Sequence, residues 1–230
     1  MYGLKQSPRA WYTRIEAYEN LYQIVVEGKL LIIVLYVDDL ILTSDENLIK
    51  YWKDDFARKF EMKYMALMHY FLGLEVQKGD GELFISQGKY ANKILRKLCM
   101  ESRKHMDTPL ASSWRKEDST SGEEVEATIY RQLVGSLLYL VNIRPEMCYG
   151  VNQLSQAMVK PTKIYWNVAK HVLRYLIGTT QFSLWYRWTE GVKLKGFIDV
   201  YWAKIPSNSK SISGGIFSIK STTISWYNRK

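Results

Sequence analysis

The stretch LLIIVLYVDDLILTS, residues 30–44, places two adjacent aspartates, Asp38 and Asp39, inside an otherwise apolar run. Aspartate is common in tight turns, so the pair could simply mark the bend of a hairpin with arms at 30–37 and 40–42. Alternatively, the two carboxylates could share a divalent cation, which would relieve their mutual repulsion, and Mg²⁺ prefers oxygen ligands. The pattern alone leaves both interpretations open. Because both arms are apolar at almost every position, we expect the hairpin to be buried on both faces.

Composition narrows the class of protein. The chain has 230 residues, is 47% hydrophobic and carries a net charge of +9. This length and apolar content predict one or two domains, and the excess charge favours an acidic partner, most commonly nucleic acid. Cys99 and Cys148 lie in apolar settings and are predicted to be buried thiols. No signal-peptide pattern opens the chain, and run 30–42 is too short and too acidic to span a bilayer, which predicts an intracellular protein without a membrane partner.

Periodicity predicts a mixed α+β fold. A Gly-Asp-Gly turn at residues 79–81 predicts a hairpin, and the segments after residue 180 predict an antiparallel meander of strands. The polar segment 109–127 is predicted to be a linker between two packing units. Helices are predicted over residues 7–22, 45–60, 88–100, 130–142, 147–158 and 162–177.

Basic residues recur on two of the predicted helices. The helix predicted over residues 88–100 carries Lys89, Lys93, Arg96 and Lys97, and the helix predicted over 162–177 carries Lys163, Lys170 and Arg174. Such residues can contact a phosphate backbone, but the exposed side of an ordinary helix explains them as well, and the sequence favours that simpler interpretation.

Several motifs, in a fixed order, resemble the Pol polyprotein of copia-type LTR retrotransposons. The resemblance covers essentially the whole chain. With so many matches in order, the probability that they arose by chance is very small. The motifs are YGLKQSPRAWY (2–12), YVDD (36–39), HYFLGLEV (69–76), LFISQGKYANKIL (83–95), YRQLVGSLLYL (130–140), RPEMCYGVNQLS (144–155), AKHVLRYLIGTT (169–180), GFIDVYWA (196–203) and KSISGGIF (210–217).

The resemblance implies a reverse transcriptase followed by the start of an RNase H domain. In its terms, residues 1–78 are a partial palm with the primer-grip hairpin and 79–108 are a thumb-like segment. Residues 109–127 are a linker, 128–190 a connection region, and 191–230 the truncated, antiparallel opening strands of an RNase H-like domain. The ancestral reaction would be RNA-directed DNA synthesis from deoxynucleoside triphosphates on an RNA/DNA primer-template duplex.

The resemblance also implies roles for individual residues. Asp38 would be the main ligand of Mg²⁺ and Asp39 would have a lesser electrostatic role, in chemistry that uses two metal ions. Tyr36 and Val37 would form the floor of the site near the primer end. Further residues would position the nucleotide and template (Tyr2, Gly3 and Gln6) or grip the primer (Phe71, Leu72 and Gly73).

Departures from the family pattern predict lost activity. The family has a further palm aspartate before the segment that begins at Tyr2, and further RNase H acids beyond the match to Asp199, the first of that catalytic set. Tyr201 stands where the family has a second acid. We therefore expect a fragment without a complete active site, inactive by itself. The alternatives are a non-catalytic nucleic-acid-binding remnant and a poorly folded pseudogene product.

Overall fold

The structure is a computed structural model that describes residues 21–37, 39–60, 62–114, 122–188, 190–201, 212–220 and 222–229. The chain divides into two compact units between Leu67 and Met68, and each unit is described by itself. The predicted nucleotide- and template-positioning residues Tyr2, Gly3 and Gln6, as well as Asp38, lie outside the described residues.

The first unit contains an antiparallel meander and a helix. The meander has the order β1-β2-β3, and the helix packs on it through Phe56, which is buried with Leu31 and Ile33 of β2. The elements are β1 Leu21–Val26, β2 Lys29–Tyr36, β3 Asp39–Thr43 and α1 Glu46–Lys59. The predicted hairpin and the helix of residues 45–60 are therefore confirmed.

Two expectations for this unit are wrong. The end of the predicted helix 7–22 is strand, because Leu21 and Tyr22 pair with Val34 and Ile33 of β2; the residues before Leu21 lie outside the described ranges. The hairpin is also not buried on both faces. Leu31 is fully buried, whereas its neighbour Leu30 is 48% exposed, because α1 covers one face of β2.

A side-chain cap fixes the start of α1. The Asp45 carboxylate accepts a hydrogen bond from the backbone N–H of Leu48 at 3.3 Å, which satisfies one of the free donors of the first helical turn. The Lys29 ammonium lies 3.1 Å from the same carboxylate and, as its hydrogen-bond donor, lowers the pKa of Asp45. The open end of the hairpin is thereby tied to the helix that follows.

The second unit contains two antiparallel sheets and a group of helices. One sheet has the order β4-β5-β6-β7 and the other β10-β9-β8. The strands are β4 Tyr70–Phe71, β5 Leu74–Gly79, β6 Glu82–Ser86, β7 Ser183–Arg187, β8 Leu194–Tyr201, β9 Ile212–Ile219 and β10 Thr222–Arg229. The helices are α2 Gly88–Lys97, α3 Ala127–Leu140, a 3-10 turn Pro145–Met147, α4 Cys148–Ser155 and α5 Lys163–Gly178.

The helices share one hydrophobic core. Ile94 and Leu95 of α2 are buried in the same cluster as Leu137 of α3 and Leu173 of α5. The polar segment 109–127 therefore does not separate two packing units, since the helices before and after it pack together. The observed division, between Leu67 and Met68, also differs from the predicted boundary at residue 78, which would cut through β5.

The strands after residue 180 do not form a single meander. β7 pairs with β6, where Leu184 faces Ile85 and the Trp185 ring stacks on Phe84 with centroids 5.8 Å apart. Only β8, β9 and β10 form the predicted meander. This last sheet is attached to the helices by hydrogen bonds, such as that from the Trp226 indole N–H to the carbonyl of Val141 at 2.8 Å.

The cysteines are less buried than predicted. Cys99 is exposed, because it follows the end of α2 with a left-handed backbone (φ +52°), and Cys148 is half-buried. Desolvation raises the pKa of the Cys148 thiol. Across the described part of the chain, no helix is both long enough and apolar enough to cross a membrane.

Candidate functional site

The β2–β3 hairpin closes with a two-residue turn at the aspartate pair. Tyr36, the last residue of β2, pairs with Asp39, the first residue of β3, so that only Val37 and Asp38 lie between them. The side chains of Tyr36 and Asp39 are exposed, and that of Val37 is 76% exposed. The turn thus presents a carboxylate to solvent at the end of a paired strand.

The backbone of Val37 is strained. Its φ is +51°, in the left-handed region that a β-branched residue rarely adopts. A turn chosen only for stability would carry Gly, Asn or Asp at this position. Strain of this kind persists where the surrounding structure imposes it and is concentrated at functional sites.

Among the described residues, no ion pair involves the Asp39 carboxylate. Lys29, at the other end of β2, is paired with Asp45 at 3.1 Å. At about 3.3 Å per residue, the length of β2 separates this lysine from the turn by more than ~20 Å. Within the described ranges, Asp39 is therefore not paired with a basic side chain.

The residues predicted to grip a primer form a second tight turn. Phe71 of β4 pairs with Leu74 of β5, and both residues between them have positive φ, +48° at Leu72 and +79° at Gly73. This is the backbone of a type I′ hairpin turn. The Leu72 side chain, 46% exposed, lies at its tip.

Tyr139 of α3, which the sequence did not single out, supports this turn. A Cβ atom added at Gly73 would lie only 3.1 Å from the Tyr139 hydroxyl, so glycine allows the close approach. The Tyr139 ring packs edge-on against Tyr90, with centroids 4.8 Å apart, and its carbonyl accepts a hydrogen bond from buried Gln87 at 3.3 Å. No local pattern marks Tyr139, because its partners come from distant segments.

Asp199 belongs to a different compact unit from the β2–β3 turn. It lies within β8, opposite Gly214 of β9, and its side chain is exposed. Asp39 belongs to the first compact unit and Asp199 to the second. In the ranges that the structure describes, no group of three or more His, Cys, Asp or Glu residues could hold a metal ion.

Comparison with known proteins finds a family model and several similar polyproteins. A family model described as reverse transcriptase (RNA-dependent DNA polymerase) matches residues 1–112. The whole chain is 33% identical to the retrovirus-related Pol polyprotein from transposon RE2 of Arabidopsis thaliana, of which it covers 17%. It is 32% identical, again over its whole length, to the corresponding polyprotein from transposon TNT 1-94 of Nicotiana tabacum, of which it covers 19%. Over its whole length the chain is therefore similar to Pol polyproteins of copia-type retrotransposons, and its residues 1–112 match the reverse-transcriptase family.

The similarity extends to a protein of comparable length. The chain spans less than a fifth of each of those polyproteins. By contrast, it is 34% identical, over 84% of its residues, to an uncharacterized mitochondrial protein of Arabidopsis thaliana, of which it covers 81%. No solved structure matches the chain.

The family model covers both tight turns. The match at residues 1–112 contains the β2–β3 turn, the β4–β5 turn and all of α2. Tyr139 lies beyond it, in a part of the chain that the similarity to the polyproteins covers. The contact between Gly73 and Tyr139 thus joins the reverse-transcriptase match to the helical region that follows.

The strain at Val37 gives a direct prediction. Val37→Asn is expected to raise the free energy of unfolding of the first unit by about 1 kcal/mol, because asparagine tolerates a positive φ and valine does not. Val25→Asn is the control, since Val25 is also exposed, at 69%, but lies in regular strand β1. Asparagine has a lower strand propensity than valine, so Val25→Asn should either leave the free energy of unfolding unchanged or lower it. Urea denaturation of the two variants measures the difference, and equal effects would contradict a strained turn.

Proposed function

We propose that the β2–β3 turn is the metal-binding turn of an RNA-directed DNA polymerase. The observation that carries this proposal is the turn itself. There, a strained Val37 precedes an exposed Asp39, which has no ion pair among the described residues and begins a paired strand inside the reverse-transcriptase match. Deoxynucleoside triphosphates would be the substrates and an RNA/DNA primer-template duplex the partner. Such a protein would work inside the cell.

The residues of the turn fit Mg²⁺. This ion is commonly held by one or two carboxylates together with substrate phosphates, and adjacent Asp38 and Asp39 supply carboxylates at one turn. Asp38 would be the main ligand and Asp39 would contribute mainly charge. When bound, the metal would stabilise negative charge on the reacting phosphate. Tyr36 and Val37, exposed beside the acids, would contact the primer end.

The remaining elements fit the parts of a Pol polyprotein in order. Under this proposal the first unit is palm, the β4–β5 turn grips the primer through Phe71, Leu72 and Gly73, and α2 belongs to the thumb. Helices α3 to α5 form the connection region. Strands β8 to β10 are the opening strands of an RNase H-like domain with Asp199 as an acid of its site. The order of the sequence motifs supports this assignment.

Metal binding at the turn can be tested with Mn²⁺ as a paramagnetic substitute for Mg²⁺. We expect Mn²⁺ to broaden the amide NMR signals of Tyr36 and Asp39, and the combined change Asp38→Asn and Asp39→Asn to abolish the effect. Asp80→Asn is the matched control, because Asp80 lies in the two-residue turn between β5 and β6. This variant should leave the broadening at Asp39 unchanged. Equal broadening at the Asp80 turn, or none at either, would show that the aspartates only shape the bend.

Catalysis by the isolated chain is a separate question. We expect no primer extension with Mg²⁺ and deoxynucleoside triphosphates, because the chemistry needs several carboxylates acting as a unit and the turn supplies a pair. Extension that disappears in Asp38→Asn would show that the chain is an active polymerase.

A non-catalytic role in binding nucleic acid is the second candidate. The net charge of +9 favours it. In that role the duplex would still be bound, with or without Mg²⁺, and affinity would fall as the salt concentration rises.

A further inference from the structure

A groove in the second unit brings together basic residues that are far apart in the sequence. Arg103 and Lys104 come from the loop after α2, and Lys170 and Arg174 from α5. We call these residues the basic groove. Met100, Asn167 and His171 complete its lining.

The loop is held along α5 by contacts at successive turns of the helix. Lys104 offers its carbonyl to the Arg174 Nε–H at 2.7 Å, and the Met106 N–H donates to the carbonyl of Arg174 at 3.2 Å. One turn earlier on the helix, the His171 ring lies 3.0 Å from the carbonyl of Thr108. The groove is therefore held together by hydrogen bonds between segments that are far apart in the sequence.

The cations of the basic groove differ from Lys163 and Arg96 in their partners. Lys163, on the same helix, is paired with Glu123 at 2.8 Å, and Arg96 with Glu101 at 3.4 Å. Within the described ranges, no carboxylate lies at ion-pair distance from the cations of the basic groove. Of the two acidic residues nearest in sequence, Glu101 is the partner of Arg96, and Asp107 is 3.8 Å from His105.

The Arg174 guanidinium shows how the groove can bind an anion. Its Nε–H is used by the Lys104 carbonyl, which fixes the plane of the group. The guanidinium has further N–H donors on its terminal nitrogens, and no described residue accepts from them. A planar fork held in this way matches the oxygens of a phosphate.

We propose that the basic groove binds the sugar-phosphate backbone of nucleic acid. This inference rests on the proposed function, which supplies the class of partner. Cations dominate the lining and Asn167 contributes its one side-chain amide, so we expect binding through charge, with little sequence preference. An anionic membrane fits less well. Membrane-surface helices expose apolar residues beside their basic ones, whereas Ala169, Leu173 and Leu176 of α5 are buried in the core.

Two lysines of α5 provide a matched test on the full chain. Lys170→Gln and Lys163→Gln make the same change of charge on one helix, but only Lys170 lies in the basic groove. Binding of a fluorescent RNA–DNA hybrid is measured by anisotropy over a range of salt concentrations. Lys170→Gln is expected to lower the slope of log affinity against log salt by about 1, and Arg103→Gln with Lys170→Gln by about 2. Lys163→Gln should leave the slope nearly unchanged.

The possible outcomes separate this inference from the proposed function. If the unmodified chain binds the hybrid but Lys170→Gln and Lys163→Gln behave alike, the basic groove is not the interface and the proposed function stands. If the unmodified chain binds no hybrid at any salt concentration, both fail. Vesicles containing phosphatidylserine are the remaining probe, and loss of vesicle binding in Lys170→Gln without loss of hybrid binding would identify a membrane surface instead. The Lys163 and Lys170 side chains are exposed, so both single variants should fold normally. Thermal melting followed by circular dichroism checks this.

Discussion

Arg144→Gln is expected to lower the free energy of unfolding of the second unit by about 3 kcal/mol. The Arg144 side chain is only 3% exposed and donates to the carbonyl of Thr179 at 3.0 Å and to its hydroxyl at 2.6 Å. It also donates to the Glu146 carboxylate at 2.5 Å. Hydrogen bonds to charged groups contribute about 1.5–3 kcal/mol each, and unpaired buried acceptors add a further cost.

The position of Arg144 explains why the effect should be large. Thr179 caps the carboxyl end of α5, where free carbonyls attract a cation. Arg144 lies in the turn between α3 and α4, so its guanidinium joins this turn to the end of α5. The Phe182 ring covers the guanidinium at 5.3 Å. The network therefore links segments that no local interaction would hold together.

Two further variants make this prediction specific. Arg131→Gln removes an exposed arginine from α3 and should change stability by less than about 0.5 kcal/mol. Arg144→Lys keeps the charge but loses the planar fork, so an intermediate loss is expected. Chemical denaturation measures the free energy of unfolding of all three variants. If Arg144→Gln and Arg131→Gln are equally mild, the buried network is not a source of stability.

Local patterns in the sequence predicted the elements well. The apolar arms around Asp38 and Asp39 predicted the β2–β3 hairpin. The helix predicted to begin at Asp45 is α1, and residues 79–81 predicted the turn between β5 and β6. Each of these depends on chemistry within a few residues. The same applies to the break between the helices predicted over residues 130–142 and 147–158, where Pro145 restricts the residue before it.

Non-local pairings were missed. Whether Leu21 continues a helix or joins a strand depends on β2, and β7 is distant in sequence from its partner β6. The polar composition of segment 109–127 likewise predicted a linker, because the sequence does not show that the helices on either side of it share one core. Periodicity reports which face of an element is apolar, but not which other element covers that face.

The candidate sites show the same limit. The sequence marked Asp39, because an acid in an apolar run is a local signal, and the family resemblance marked Phe71, Leu72 and Gly73 of the β4–β5 turn. It could not show that Tyr139 supports Gly73, or that Lys163 is paired with Glu123 while Lys170 is not. Ion pairing decides which basic residues are available for a ligand, and that depends on the tertiary fold.

Leu137→Ala should destabilise the second unit by about 2–5 kcal/mol, the usual range for deleting a buried leucine side chain in a packed core. Leu137 of α3 is fully buried, whereas the adjacent Leu138 is 39% exposed. Leu138→Ala is therefore the matched control, and it should cost much less. Chemical denaturation gives both values, and similar losses would contradict the burial of Leu137.

The same variant tests whether one core spans the polar segment 109–127. Ile94 and Leu95 of α2 belong to the cluster that contains Leu137. If this cluster is one cooperative unit, Leu137→Ala will speed amide hydrogen exchange in α2 as well as in α3 and α5, although α2 lies on the other side of the segment. Faster exchange confined to α3, α4 and α5 would instead show that the segment separates two folding units. The contact between Gly73 and Tyr139 would then join units that fold separately, and the β4–β5 turn could keep its shape while the helices after it unfold.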